Sequence, residues 1–554
     1  MRKFVSSLKL ILTRTALLAV AALAMASFLN SGEARAQQAG ATSSTATGSS
    51  QAVAGSMARG TPVAATFSAS APSLSPEQRA AFEAAFAKSH RSGPINLPHA
   101  AMKADGPAGP AQELRSLAAP KAAIDLFLHD RLVAPSGAPF SAVGEPSGDN
   151  AGNNRFQSGN WYAAASFNAG ATFNFVNPFT MFGSGFCCDQ VVVYDPGRNA
   201  WFWLLQYGDH LVLANSRDLV NWCSYTWTPA SFGFSGSLDY NDLALTTNNI
   251  YIVSNVFPAS GGSGSVVARL PIDPQLTCSG FNYIYFNRTD LGFTWKPVSG
   301  ATDVLYWGTN WFGTLGSSFR VFKWAENSGT IFWFDRTLGT TFAFFTRNSG
   351  QNCGSQDGVV KNWCQFADSR VVGGARYSDP NGTAQLVFSF NAKQGGPFSL
   401  PFPYTERVHF QESDFSYIGS DRIFSTGVAF QFTSLATDAR GHIGMTTLFG
   451  GGTGTSHTFP SGWINLNDDV SPNQPWAGTA NAFGAGNPCL NGTLYRSGDF
   501  LTTRAYRPTN TLFLGYNFVL TADAGSCGST APVAAHEVVF GRKRDKHGGF
   551  QRWQ

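Results

Sequence analysis

The residues able to do chemistry in this chain are few, and several come as acid–base pairs. Charged residues make up only 13% of the 554 positions, with a formal net charge of +4. In Phe366–Arg376 the charges of Asp368, Arg370 and Arg376 interrupt an otherwise apolar strand. Asp438 with Arg440, and Asp499 with Arg504, repeat an Asp-to-Arg spacing of two or five. Such pairs can lock neighbouring elements through bidentate bonds, or an arginine fork can take the carboxylate of an acidic sugar. Asp189 and Asp242 stand at the starts of other apolar strands. Glycoside hydrolysis ordinarily needs two carboxyl groups flanking the bond. Glutamate is scarce: past residue 150 only Glu326, Glu406, Glu412 and Glu537 occur, so aspartates must carry most of any such role. A lyase would need a Tyr or His base beside an arginine, for which His409 and His442 are the candidates. There is no Gly-x-Ser-x-Gly, P-loop, dinucleotide fingerprint or His-Glu-x-x-His, which sets aside esterase, nucleotide and zinc-protease chemistry. No cofactor or metal is expected.

These side chains need elements to hold them, and from about residue 155 the pattern is that of strands. Val191–Tyr194 turns through Asp195-Pro196-Gly197-Arg198-Asn199 into Trp201–Leu205, a hairpin signal. Similar units start near Asp189, Asp242, residue 300, Asp368, Ser434 and Ser497, about fifty to seventy residues apart. Spacing of that size, with several strands in each unit, predicts radial repetition. The expected body, 151–545, is an all-β, six- or seven-bladed β-propeller. Its polar residues would gather at one mouth of a central funnel: Asp189, Asp242, Asp368, Arg370, Arg376, Arg440, Asp499 and Arg504. The Val538–Phe540 strand is expected to complete a blade begun near the N-terminus, which removes an exposed edge.

The N-terminus reads differently. Basic residues, an apolar run from Ala16 to Leu29 and Ala34-Arg35-Ala36 predict a signal peptide over 1–36 and a secreted, periplasmic or extracellular protein of bacterial type. No membrane span is expected in the mature chain. Residues 37–150 read as a largely disordered, low-complexity extension. Short helices are expected in it from Ser75 and over Lys121–Leu132. Residues 546–554 form a basic tail, and no cluster of Lys and Arg suits nucleic acid. The eight cysteines, 187, 188, 223, 278, 353, 364, 489 and 527, fit disulfides in an oxidising compartment. Cys353–Cys364 and Cys489–Cys527 are expected bridges. Cys187 and Cys188 either bridge each other or reach Cys223 or Cys278.

Three stretches share a rhythm: Asp290-Leu291-Gly292-Phe293-Thr294-Trp295, Ser166-Phe167-Asn168-Ala169-Gly170-Ala171-Thr172-Phe173 and Ser216-Arg217-Asp218-Leu219-Val220-Asn221-Trp222. A short polar side chain can bond turn amides, and an aromatic residue anchors the end. The pattern resembles the Asp-box of sialidase-like propellers and the equivalent turn of arabinanase-like and xylosidase-like propeller glycosidases. That resemblance implies a carbohydrate-active propeller, hydrolase or lyase, meeting an extracellular glycan as a monomer; the alternative is a non-catalytic propeller that binds glycan or cell-surface material. Sialidases use three arginines, a Tyr–Glu pair and an Asp, which Tyr404 and Glu406 could join. Their Arg-Ile-Pro motif is absent here. The arabinanase pattern of two Asp and one Glu on early blades finds Asp189 and Asp242 but no early Glu. The candidate catalytic residues are thus Asp189, Asp242, Asp368 and Glu406.

Overall fold

A computed structural model describes residues 46–68, 124–132, 140–339, 342–355, 361–452, 458–468 and 477–542. These form seven antiparallel blades around one axis. The inner strands are Ser147–Ala151, Phe186–Asp195, Gly236–Leu245, Lys296–Pro297, Val371–Ser378, Ala429–Thr437 and Thr502–Tyr506, for blades 1 to 7. Each touches the next, and the seventh returns to the first, so the ring is closed. Six inner strands lie on or close to the starts read from the sequence. The inner strand of blade 1, Ser147–Ala151, ends at residue 151.

Aromatic side chains fill the spaces between blades. Phe156, Trp201, Trp203 and Trp222 pack together from blades 1 and 2, and Tyr251, Phe286, Trp307, Phe322 and Trp324 from blades 3 and 4. Each buried ring removes about 200 Å² from water, gross about 5 kcal/mol at about 25 cal/mol per Å². A blade alone has no second layer to bury these rings against.

The extension departs most from expectation. Gly48–Gln51, Val53–Met57, Thr61–Ala64 and Phe67–Ser68 are strands added to the outer edges of blades 4, 3, 2 and 1 in turn. This segment runs as a belt against the direction of the blades. Small residues suit it because large rings already fill the outer face: Gly48 lies on the Trp333 ring and Gly55 on Tyr283, where a Cβ would clash. Lys121–Leu132 also departs from the helix reading, since Asp125–Leu132 is the outermost strand of blade 7, paired with Val533–Gly541. Ile124 and Leu126 pack there against Phe513 and Phe540, tertiary burial that outweighs local propensity. The C-terminal strand thus completes its blade with an N-terminal one. The signal peptide, the helix from Ser75 and the tail lie outside the described residues.

The bridges are Cys187–Cys188, Cys223–Cys278, Cys353–Cys364 and Cys489–Cys527. Two of the three rhythmic stretches occupy one place, the turn between third and fourth strands. In blade 1, Ser166 Oγ accepts from the Gly170 amide and Asn168 Oδ1 from the Thr172 amide. In blade 2, Asp218 Oδ1 accepts from the Val220 and Asn221 amides, at 2.8 and 2.7 Å. The next residues, Ala169 and Leu219, have positive φ. The Asp290 stretch is not equivalent. It links blade 3 to blade 4, and its carboxylate sits on Arg288.

Candidate functional site

One end of the channel is built by irregularities in otherwise regular sheets. The pairing of blade 2 slips between Phe186 and Gln190, so that Cys187, Cys188 and Asp189 stand opposite Gln206 alone. In blade 3, Tyr240 and Asn241 bulge opposite Ser254, with Tyr240 at φ 59°. Blades 5 and 6 slip near the same level, at Val371/Gly373 and Gln431/Ser434. Bulges bend a strand and re-aim its side chains. Here they turn Asp189, Asp239 and Tyr240 toward the axis.

Two long links complete this mouth. The link from blade 4 to blade 5 carries Arg347, Phe366, Asp368 and Arg370, and Cys353–Cys364 closes a small hairpin within it. The link from blade 6 to blade 7 carries Arg496, Asp499 and Phe500, tied down by Cys489–Cys527. A third segment enters at Gly144-Glu145. The Gly144 amide donates to Ser497 O at 3.1 Å, and the Asp499 amide to Glu145 Oε1 at 3.1 Å. Gly498, at φ 145°, lies directly on the Gly144 carbonyl, and no side chain could stand between them. That contact brings two carboxyl groups side by side.

The result is a buried layer of acids and arginines. Arg370 Nε donates to Asp368 at 2.7 Å and its guanidinium covers the Tyr240 ring at 4.5 Å. Arg496 meets Glu145 at 3.2 Å and Asp499 at 3.6 Å. Arg347 lies 3.7 Å from Asp368 and 3.9 Å from Asp499, over Phe366, with its side chain 28% exposed. Asp239, half-buried, accepts from Gln206 Nε2 at 3.1 Å and from the Tyr240 amide at 2.9 Å. Tyr240 and Phe500 meet across the axis, ring centres 4.4 Å apart.

Asp189 is the exception among these acids. It is buried, and its Oδ1 has no hydrogen-bond partner among the described residues. Burial, then the negative charges of Glu145, Asp239 and Asp499, hold its pKa well above the carboxylate range, with Arg496 opposing. Burial likewise lifts Glu145 to about 7, against the pull of Arg496. Burial raises Asp239 too, while Gln206, the Tyr240 amide, Arg347 and Arg370 draw it back. Arg370 is held more firmly protonated than usual: burial opposes its charge, and Asp368 and Asp499 outweigh burial. Acids with raised pKa thus sit beside acids held in ion pairs, the arrangement acid–base chemistry uses.

Below this layer the channel holds a cavity of about 350 Å³, reaching from Glu145 and Asp189 to Thr247, Thr302 and Arg507. Asp242 is on its wall in an ion pair with Lys296. Arg504 is there also, donating to Val192 O at 2.8 Å and lying 3.8 Å from Asp149.

Of the residues read from the sequence, Asp189, Asp368, Arg370 and Asp499 therefore meet at one mouth. Asp242 and Arg504 line the channel instead. Arg376 and Arg440 are not at the mouth: they lie at the far ends of inner strands, paired with Glu412 at 2.7 Å and Asp438 at 2.8 Å. Glu406 is not there either. It is on the third strand of blade 5, buried against Arg422 at 2.8 Å, and burial lifts it to about 7. Its neighbour Tyr404 is buried with it. His409 and His442 sit on Asp421 and Asp438, also away from the mouth. Glu145, Asp239, Tyr240, Arg347 and Arg496 were missed. Asp239 shares a short run with Asp242 and could have been found; Glu145 was assigned to the extension. Among the described residues no group of three or more His, Cys, Asp or Glu is placed to hold a metal. No helix there is long and apolar enough to cross a membrane.

No family model matches the chain, and no curated protein matches it. Solved structures do resemble it at low identity. An endo-arabinase from Bacteroides thetaiotaomicron VPI-5482 aligns at 10% identity over 50% of this chain and 92% of its own, with a TM-score of 0.28. A protein of unknown function from Dyadobacter fermentans DSM 18053 aligns at 10% identity over 75% and 98%, TM-score 0.35. An alpha-L-arabinanase from Penicillium chrysogenum, complexed with arabinobiose, aligns at 7% over 63% and 92%, TM-score 0.28. At these scores no activity passes from them to this chain.

Proposed function

We propose that this protein is an exported carbohydrate-active propeller that hydrolyses glycosidic bonds at the mouth formed by Asp189, Asp239, Asp368, Arg370 and Asp499. The observation that carries the reading is the contrast between Asp189 and its neighbours. Asp368, Asp499 and Glu145 each face an arginine; Asp189 is buried and unpaired, its pKa held well above the carboxylate range. A pure binding site has no use for a lone acid pushed toward its protonated form, whereas a leaving glycosidic oxygen needs a proton donor. Asp189 is the general acid in this reading. Asp239, half-exposed and oriented by Gln206, is the second carboxyl group, acting on water or on the sugar itself. Phe500 lines the cavity and offers a ring for stacking a sugar, and Arg347 reaches the open side. The four disulfides belong with an oxidising compartment, where extracellular glycan is met.

Purified protein offered a glycan panel should release reducing ends. Asp189→Asn should lower turnover by about 10²–10⁴-fold while leaving the fold and glycan binding in place. Binding by the wild type with no release from any glycan would instead make the protein a lectin-like binder.

A further inference from the structure

Below the mouth the channel has charges of its own, and they do not balance. Asp242 is matched by Lys296 at 2.5 Å, and Asp195 by Arg198 at 3.2 Å. Asp149 faces two arginines. Arg504 Nε lies 3.8 Å from its carboxylate, and Arg507 and Arg504 both draw its pKa down against burial. Neither donates a hydrogen bond to it. The Asp149 oxygens are taken by backbone instead: Oδ1 accepts from the Asn150 amide at 2.8 Å and Oδ2 from the Tyr194 amide at 2.9 Å.

Both arginines are held where they stand. Asn150 clasps the backbone of Arg507, donating to its carbonyl at 2.6 Å and accepting from its amide at 3.0 Å. Arg507 Nη1 donates to Asn510 Oδ1 at 2.7 Å, and its guanidinium lies over the Tyr194 ring. Arg504 Nη2 donates to Val192 O at 2.8 Å, three residues or about 10 Å along the strand from Asp189. In both arginines Nε is buried with no hydrogen-bond partner among the described residues. A buried donor without a partner is costly, the more so on a charged group. Both residues line the cavity, whose far end is bordered by exposed Pro196, Thr247, Gly300 and Thr302, so it is open to solvent on the face away from the mouth.

We propose that Arg504 and Arg507 form an oxyanion site in the channel, taking a carboxylate, sulfate or phosphate group from that face. Two arginines against Asp149 leave one positive charge, and the two Nε–H groups supply donors that a guanidinium fork offers to such groups. A cation would meet like charge, and a neutral sugar would leave the charge unanswered. The site is separate from the acid layer and does not depend on hydrolysis at the mouth.

Inorganic sulfate and glucuronate, titrated into the full chain by calorimetry at constant ionic strength, test it. Each should bind saturably, one per chain, and glucose should displace neither. R504Q/R507Q should weaken binding at least about 10-fold, as loss of a charge-assisted hydrogen bond does. R376Q, which removes an arginine paired with Glu412, should leave it unchanged. Tighter binding of glucuronate than of sulfate identifies an acidic sugar as the occupant; sulfate binding as tightly or more so identifies a free oxyanion. Binding of neither, or binding that survives in folded R504Q/R507Q, overturns the proposal. Should that variant not fold, wild-type crystals soaked in selenate, which has the shape of sulfate, decide. Anomalous density between Arg504 and Arg507 supports the site, and density only elsewhere, or none, refutes it.

Discussion

Replacing Glu145 by Gln probes the charged layer through stability. Burial is the main cause that lifts this carboxyl from 4.5 to about 7; Asp499 adds to the rise and Arg496 opposes it. The sign of the consequence is fixed. With a raised folded-state pKa, the unfolded chain gives up its proton first as pH climbs, so the native state binds more protons and stability falls through that window. The interval is about 2.5 units. At about 1.4 kcal/mol per unit, Glu145 costs the native state about 3 kcal/mol by about pH 8 relative to about pH 4. Glutamine keeps the shape and does not titrate. Near pH 4 both side chains are neutral, so E145Q and wild type should be of similar stability. With rising pH the variant should gain on wild type, reaching an advantage of about 3 kcal/mol. Removing the Glu145 charge also relieves Asp189, which acts in the same direction. Urea denaturation at half-unit steps of pH gives the difference curve directly. A difference flat to within about 0.5 kcal/mol, or one that moves against the variant, refutes the account of a buried acid held neutral.

Three further outcomes follow from the same geometry. Gly498→Ala places a side chain on the Gly144 carbonyl at a φ that only glycine favours, and should cost at least about 2 kcal/mol in urea denaturation. Removing Cys353–Cys364, which spans a sequence separation of 11, should cost about 3 kcal/mol by loop entropy, seen as a lower unfolding midpoint without reductant. Deleting residues before 69 strips the outer strands from blades 1 to 4 and should make the chain self-associate with concentration in sedimentation velocity more strongly than the intact protein does.

Much of the fold was legible because a propeller repeats itself. Hairpins such as Val191–Leu205 announce themselves through continuous apolar runs on either side of an Asp-Pro-Gly turn, and the unit spacing located six inner strands. Local signals failed where tertiary burial decides. Gly48–Ser68 has the composition of a linker, yet small side chains are what an outer strand needs when Trp333 and Tyr283 already cover the surface. Asp125–Leu132 has a helical arrangement of apolar residues, yet the open edge of blade 7 takes it as a strand. The turn motif was partly legible as well. Blade 5 carries a third instance at Asp414, whose Oδ1 accepts from the Ser416 amide and is followed by Phe415 at φ 60°. There Phe415 supplies the buried aromatic residue directly after the aspartate, not at the end of the turn as in the other stretches.

The site was less legible than the fold for a physical reason. Strand position alone would put the funnel residues on inner strands at regular intervals, and by that rule Asp242, Arg376 and Arg440 looked as good as Asp189. What separates them is which end of the strand they occupy and whether the pairing is regular there. Asp242 is back in register opposite Val253 and finds Lys296; Asp189 is in a bulge and finds nothing. Bulges leave little trace in a single sequence, since any residue can be the extra one. Glu145 and Asp499 were harder still, because the contact that unites them is a glycine pressed on a carbonyl between segments more than 350 positions apart. The chemistry of this mouth therefore depends on departures from the repeat: two bulged strands, two disulfide-tied links and one glycine crossing. If catalysis resides there, substitutions that restore regular pairing at Cys187–Asp189 should stabilise blade 2 and abolish turnover together, a coupling of opposite signs that no merely structural role for the bulge would produce.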